Sequence, residues 1–229
     1  MRAGLLKHLG FIFIFLLWTP VLVQAEFAFI PPGTDLEKIF NKPAALEAQI
    51  SAEEGDDQSK WIGMLVDIHV CTDIPQDVLR RVVTDYEQYT GIFKRLVSMK
   101  VDRADEGAYL GWHIRIGSNN LSYDTRYTTL ASEQLNTRDK YLLYYSHVSD
   151  DGSIKDAWGG WYFENVMVKG KECTYVRYIT SNKTFRKFLI QRLALSLVIK
   201  KEYTDLMDQF LRAARTAQGM PQTRTQTAF

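Results

Sequence analysis

Met64-Leu-Val-Asp-Ile-His-Val-Cys-Thr-Asp-Ile-Pro-Gln-Asp-Val-Leu79 decides how this chain folds. Its first half alternates. Met64, Val66, Ile68 and Val70 fall on one face and Asp67, His69 and Cys71 on the other, the period-2 signature of a half-buried strand running from about Trp61 to Cys71. The alternation stops at Thr72. Pro75 then suits the first turn of a helix, where its missing N–H is not needed, with Thr72 or Asp73 as the cap. Val78, Leu79, Val82 and Val83 recur at helical spacing and give that helix one apolar stripe. Tyr86, Tyr89, Ile92 and Phe93 predict a second short helix directly after it.

Downstream the period-2 signal returns, and strands are expected at about Val97–Asp102, Tyr109–Ile116, Leu121–Ala131, Tyr141–Val148, Gly159–Val166 and Thr174–Thr180. Turn residues separate them: Asp105-Glu-Gly107, Gly117-Ser-Asn-Asn120, Asp150-Asp-Gly152 and Lys169-Gly170. A long helix follows, from about Lys183 to Ala214. The predicted order is β-α-α-β6-α, without an internal repeat.

The flanks differ from this core. Arg2, Lys7 and His8 precede an apolar run from Leu9 to Trp18, and Val23-Gln-Ala25 has the small-residue pattern of a cleavage site. Residues 1–25 therefore read as a signal peptide and place the protein in an exported, periplasmic compartment. The alternative is an uncleaved signal anchor that tethers it to the membrane, because Val21, Leu22 and Val23 extend the apolar stretch. Residues 26–60 read as a leader, with one short helix capped by Asp35, a second over Pro43 to Glu54, and an acidic linker at Glu53–Asp57. Residues 216–229 are polar, rich in Gln and Thr, and expected to be disordered.

Charge is balanced, with 28 basic against 27 acidic residues, so there is no basic excess to suit a nucleic-acid partner. Neither H-E-x-x-H, C-x-x-C, a Walker loop, G-x-G-x-x-G nor G-x-S-x-G occurs, so no metal or cofactor is expected. His69 and His113 are expected on outward faces, and His147, with the parity of Tyr145, near the inner one.

The junction Cys71-Thr-Asp-Ile-Pro75, the segment Val83-Thr-Asp-Tyr-Glu-Gln-Tyr89, the strand Gly160-Trp-Tyr-Phe163 and the terminal helix together resemble the START/polyketide-cyclase superfamily, and within it the bacterial START-like proteins of the coenzyme-Q-binding group. The resemblance spans residues 61–215. It implies an α+β helix-grip fold, a seven-stranded antiparallel curved sheet wrapped around the last helix, with a cavity for an apolar ligand between them.

In such a sheet the first and last strands pair antiparallel. If Ile68 sits opposite Val176, Cys71 sits opposite Cys173, and an oxidising compartment would favour a bond between them. Closing that loop of about 100 residues would contribute up to about 4.7 kcal/mol; two free thiols are the alternative. Strand parity puts Leu110, Trp112, Ile114, Tyr123, Tyr127, Tyr145, Trp161, Phe163, Val176 and Tyr178 on the wall facing the helix. The facing stripe of the helix holds Phe185, Phe188, Arg192, Ser196, Ile199, Tyr203, Leu206 and Phe210. Phe188, Arg192, Ser196 and Ile199 are the ligand-binding candidates there. Arg192 would meet a carboxylate, backbone oxygens or an acidic ligand head. On the opposite face, Ile190, Ala194, Leu197 and Val198 form an apolar patch suited to leader packing, membrane contact or a dimer.

The expected function is binding and transport of a lipid, fatty acid, sterol-like or isoprenoid molecule. Two alternatives stand beside it. One is a cyclase or dehydratase using Tyr123, Tyr127, Tyr145 and Arg192. The other is an interaction module with a closed core.

Overall fold

The computed structural model describes residues 29–54, 60–104, 107–116, 119–129, 136–150, 154–185 and 192–219. Of the two units into which the chain divides, Met1–Gly33 and Thr34–Phe229, the second carries the fold. The expected signal peptide, Phe188, Ile190 and most of the polar tail lie outside the described residues, as do the side chains of Arg192, Ala194, Ser196, Leu197 and Val198.

Eight antiparallel strands form one sheet: β1 (Ala44–Glu54), β2 (Lys60–Thr72), β3 (Leu96–Ala104), β4 (Gly107–Ile116), β5 (Asn119–Thr129), β6 (Lys140–Asp150), β7 (Ile154–Val168) and β8 (Lys171–Phe185). Their spatial order is β1-β2-β8-β7-β6-β5-β4-β3. Register shifts at Ala45/Glu47, Leu96/Ser98, Asp124/Thr125 and Ile154/Asp156 are bulges of the kind that bend a sheet. Between β2 and β3 run α1 (Gln76–Thr84), a 3-10 turn at Tyr86–Gln88 and α2 (Tyr89–Ile92). The last element is α3 (Arg192–Gln218), which packs against α1, β1 and β2.

Four expectations change. The second leader helix is instead strand β1, so the sheet has eight strands rather than seven. Asp35 does cap the first leader segment, its Oδ1 accepting from the amides of Glu37 and Lys38, but that segment forms turns, not a helix. The last helix starts at Arg192, because Lys183, Thr184 and Phe185 pair with Gly63, Ile62 and Trp61; it continues through Thr216 and Ala217 to Gln218. Neither Thr72 nor Asp73 caps α1: the N-cap is Pro75, and Thr72 Oγ1 accepts at 3.4 Å from the amide of Ile74.

The junction is fixed from several sides. Thr174 Oγ1 donates to the Ile74 carbonyl at 2.8 Å, and Gln76 Nε2 donates to the Asp139 carbonyl at 2.8 Å. Asn41 accepts from Thr72 Oγ1 at 2.8 Å and from Arg215 Nη2 at 2.7 Å, tying the end of α3 to the end of β2.

The outer face of β2 and β8 is also buried. Asp67 accepts two hydrogen bonds from Arg177, at 2.9 and 2.6 Å, and His69 Nδ1 lies 3.2 Å from the Tyr175 hydroxyl. His69 is therefore interior, not superficial, and its burial lowers its pKa.

Cys71 and Cys173 are both buried and both free thiols. Ile68 faces Tyr178 rather than Val176, so Cys71 faces Tyr175 and lies diagonal to Cys173. The proposed disulfide partners are thus neighbours on one face but not opposite one another. Burial pushes the Cys71 thiol up to about 12, a value at which almost no reactive thiolate forms near neutral pH. A chromogenic disulfide reagent is expected to react slowly with the native protein and to count both thiols once it is unfolded without reductant. A zero count on unfolding would show a bond instead.

Candidate functional site

α3 closes the concave face of the sheet, but not uniformly. In its C-terminal half Met207, Phe210, Leu211 and Ala214 are fully buried. Phe210 anchors this end. Its ring stacks parallel on Phe163 at 6.1 Å and lies 4.5 Å from the centre of Trp161. Val78, Leu79, Val82 and Val83 of α1 belong to the same core, which explains the stripe in their sequence.

Toward its N-terminal half the packing loosens. Ile199, Tyr203 and Leu206 touch the core yet keep accessible surface, and so do Met64, Ile114 and Tyr123 of the sheet. Burial raises the Tyr123 and Tyr203 hydroxyls above the usual phenol range. These rings are deep enough to lose water and yet are not covered by protein. Such half-covered side chains are what the lining of a hollow would show.

A chain of hydroxyls crosses this wall. Tyr145 of β6 pairs with Gly159 of β7, which pairs with Thr180 of β8. The Tyr145 ring passes over Gly159, where a Cβ would lie 2.5 Å from the phenol Cζ and oxygen. The missing side chain lets the Tyr145 hydroxyl reach Thr180 Oγ1, and it lies 3.3 Å from the Tyr178 hydroxyl. Asn182 Nδ2 reaches Thr180 Oγ1 at 3.5 Å, and the Asn182 side chain also hydrogen-bonds Tyr203, whose ring stacks on Tyr178 at 6.1 Å.

All the sheet residues selected by parity turn inward. Leu110, Trp112, Tyr127, Tyr145, Trp161, Phe163, Val176 and Tyr178 lie in the buried core, and Ile114, Tyr123 and Ile199 pack against it. Most of them fill space between one another. Trp112 Nε1 donates to Thr125 Oγ1 at 2.7 Å, and Tyr127 stacks on Tyr145 at 4.9 Å. The surface that keeps some accessibility is smaller: Ile114, Tyr123 and Ile199, together with Met64, Asn182, Tyr203 and Leu206, while Tyr178 and Thr180 are buried behind them. Thr180 and Asn182 were not anticipated as site residues. Both continue the alternation of Val176 and Tyr178; Thr180 ends the expected strand, and Asn182 falls in the part of β8 beyond it. Asp124 is exposed on the outer face beside Gly111. His113 also faces outward, its Nδ1 2.9 Å from Ser122 Oγ.

A separate half-open groove of about 490 Å³ lies at the strand-to-helix junction, lined among others by Ile74, Gln76, Asp77, Arg80, Arg138 and Glu172. It mixes charges of both signs and is unsuited to an apolar molecule. Among the described residues no group of three or more His, Cys, Asp and Glu could hold a metal ion.

The titrating groups predict a stability plateau. His69 has a lowered folded pKa, so its contribution is present above the unfolded value of about 6.5 and fades as pH falls below it. Tyr123, Tyr127, Tyr145, Tyr178 and Tyr203 have raised values. Their contribution is complete below the unfolded value of about 10 and falls as pH rises beyond it. Thermal midpoints across this range are expected to be flat between about pH 7 and 10 and to drop on both sides. Tyrosinate absorbance from these buried rings should appear only together with unfolding.

No protein-family model matches the chain, and no curated protein matches it. Solved structures do. Human STARD10 aligns with a TM-score of 0.52 at 9% identity, covering 73% of each chain. A STAR-related lipid transfer protein from Xanthomonas axonopodis aligns at 0.50 and 12% identity, covering 72% of this chain and 98% of its own. The Zhui aromatase/cyclase from Streptomyces sp. R1128 aligns at 0.50 and 14% identity, covering 69% and 97%. At such identities the likeness is one of fold: an antiparallel sheet with a long C-terminal helix, the helix-grip fold.

Proposed function

We propose that this protein binds an apolar small molecule, of lipid, fatty-acid, sterol-like or isoprenoid type, in the hollow beneath the N-terminal half of α3, and carries it within an exported compartment. The observation that carries the reading is the accessible surface that Met64, Ile114, Tyr123, Ile199, Tyr203 and Leu206 keep where they pack on the core. The similarity of fold to a STAR-related lipid transfer protein supports it. Binding would be driven by burial of the ligand's apolar area, at about 25 cal/mol per Å². Transient contact with a membrane would accompany loading and release.

Two measurements test this. The full-length chain, purified without detergent and extracted into organic solvent, should release an apolar compound in near-stoichiometric amount by mass spectrometry; a clean, empty protein speaks against carriage. Cell fractionation with N-terminal sequencing should find an exported form beginning near Glu26. A cytoplasmic protein that keeps Met1 would remove the export part of the proposal.

A further inference from the structure

We propose that Cys71 and Cys173 are a reversible dithiol–disulfide pair: Cys173 reacts first, with a small disulfide that enters the groove at the strand-to-helix junction, and Cys71 then closes the bond between them. The proposal is independent of the ligand reading of the hollow.

Placement is the first argument. The only two cysteines of the chain come from strands far apart in sequence and meet on the outer face at one end of the β2–β8 seam. Their thiols hydrogen-bond to one another. Cys71 pairs with Tyr175, and Cys173 lies two residues before that partner, so the two are diagonal neighbours. Diagonal Cα atoms in an antiparallel pair are about 7–8 Å apart, just beyond the limit of about 7 Å for a disulfide without backbone movement. The sulfurs already meet, and the remaining movement falls at strand ends. Cys71 is the last residue but one of β2, and Cys173 is the third of β8, directly after the Lys169-Gly170 turn. A bond reached by bending two strand ends holds strain, and strained disulfides are the ones that small thiols reduce.

Access sets the order. Cys71 is 0% exposed, and its backbone is tied to the leader, its amide donating to the Ile39 carbonyl at 3.2 Å and its carbonyl accepting from the Asn41 amide at 2.7 Å. Cys173 keeps 5% of its surface and lines the half-open groove. A small disulfide therefore meets Cys173 first. Burial raises both thiols, Cys71 to about 12, but the hydrogen bond between them works against a thiolate on Cys71 and favours one on Cys173. The thiolate is the nucleophile, so access and charge give the same order.

The exchange consumes one external disulfide. The Cys173 thiolate attacks one sulfur of R–S–S–R, that S–S bond breaks, and the first R–S⁻ leaves and takes up the proton that Cys173 gave. The Cys71 sulfur then attacks Cys173 Sγ, and its proton goes to the second R–S⁻ as that leaves. Two protein thiols are oxidised, one disulfide is reduced to two R–SH, and excess R–SH runs the exchange backwards.

The test uses the full-length protein, purified reduced and treated with oxidised glutathione at mildly alkaline pH. Mass spectrometry after alkylation of the remaining thiols should find an intrachain bond joining the peptides of Cys71 and Cys173, with no glutathione retained and no linked dimer. Excess reduced glutathione should restore both thiols. Cys71→Ala should instead keep one glutathione, on Cys173. Cys173→Ala should react about tenfold more slowly than Cys71→Ala, because its remaining thiol is the enclosed one. Thermal midpoints check that both variants are folded, and the wild-type result decides the bond without them. A wild type that keeps glutathione, links into dimers or stays unreacted overturns the proposal. A bond that excess reduced glutathione leaves intact overturns its reversibility, and equal rates for the two variants overturn the order of attack.

Discussion

Replacing Phe210 with alanine should cost about 3–5 kcal/mol of stability, the range for deleting a buried aromatic ring. Phe210 is almost wholly enclosed and is held between Phe163 and Trp161. Its loss removes ring contacts and leaves a cavity that the surrounding sheet cannot easily collapse. More follows than a local defect. Met207, Leu211 and Ala214 occupy the same sealed end of α3, and their burial holds the helix on the sheet. Urea titration should show a lower midpoint with an unchanged slope. Phe210→Leu should retain most of the difference. A loss below about 1 kcal/mol for the alanine variant would mean that this end of α3 is not the clamp described, since surface substitutions lie within about half that range.

Gly159→Ala is the second large effect, and it links stability to the site. The added methyl would lie 2.5 Å from the Ile179 carbonyl oxygen and 2.5 Å from the Tyr145 ring. The ring can turn away, but the carbonyl belongs to the paired strand. Overpacking of this kind costs about 1–3 kcal/mol, and the displaced Tyr145 hydroxyl would leave Thr180 and Tyr178. Gly91→Ala is the matched control, because nothing lies within 4 Å of its added methyl and Gly91 sits in the short helix α2. It should be neutral or slightly stabilising. Thermal unfolding of both variants checks the pair; equal midpoints would contradict the passage of Tyr145 over Gly159.

Much of this was legible in the sequence because the deciding signals are local. Met64 to Leu79 contains its own alternation, its own proline and its own helical stripe, and the structure places β2 and α1 accordingly. Parity along β4 to β8 needed no partner either, so Trp112, Tyr123, Tyr145, Trp161 and Tyr178 could be assigned inward from spacing alone. What failed depends on distant pairing. Ala44-Ala-Leu-Glu-Ala-Gln-Ile50 is composed largely of good helix formers, yet it lies along the edge of β2 and takes strand geometry from that partner. The β2–β8 register joins segments about 100 residues apart with no turn to set it. A shift of two residues therefore put Cys71 opposite the wrong partner. The end of β8 is hidden in the sequence because Phe185, Phe188 and Arg192 continue the helical stripe backwards, which also hides Asn182 as a strand residue.

Carriage of an apolar molecule requires space between Ile199 and Tyr203 of α3 and Met64, Ile114 and Tyr123 of the sheet. Ile199→Trp would fill that space with an indole while leaving the clamp at Phe210 intact. Equilibrium binding of N-phenylnaphthylamine to the full-length protein and to this variant is the most direct measurement. Saturable, stoichiometric binding to the wild type and its loss in a variant of unchanged thermal midpoint is the predicted result. No binding to the wild type, or equal binding to both proteins, would contradict it.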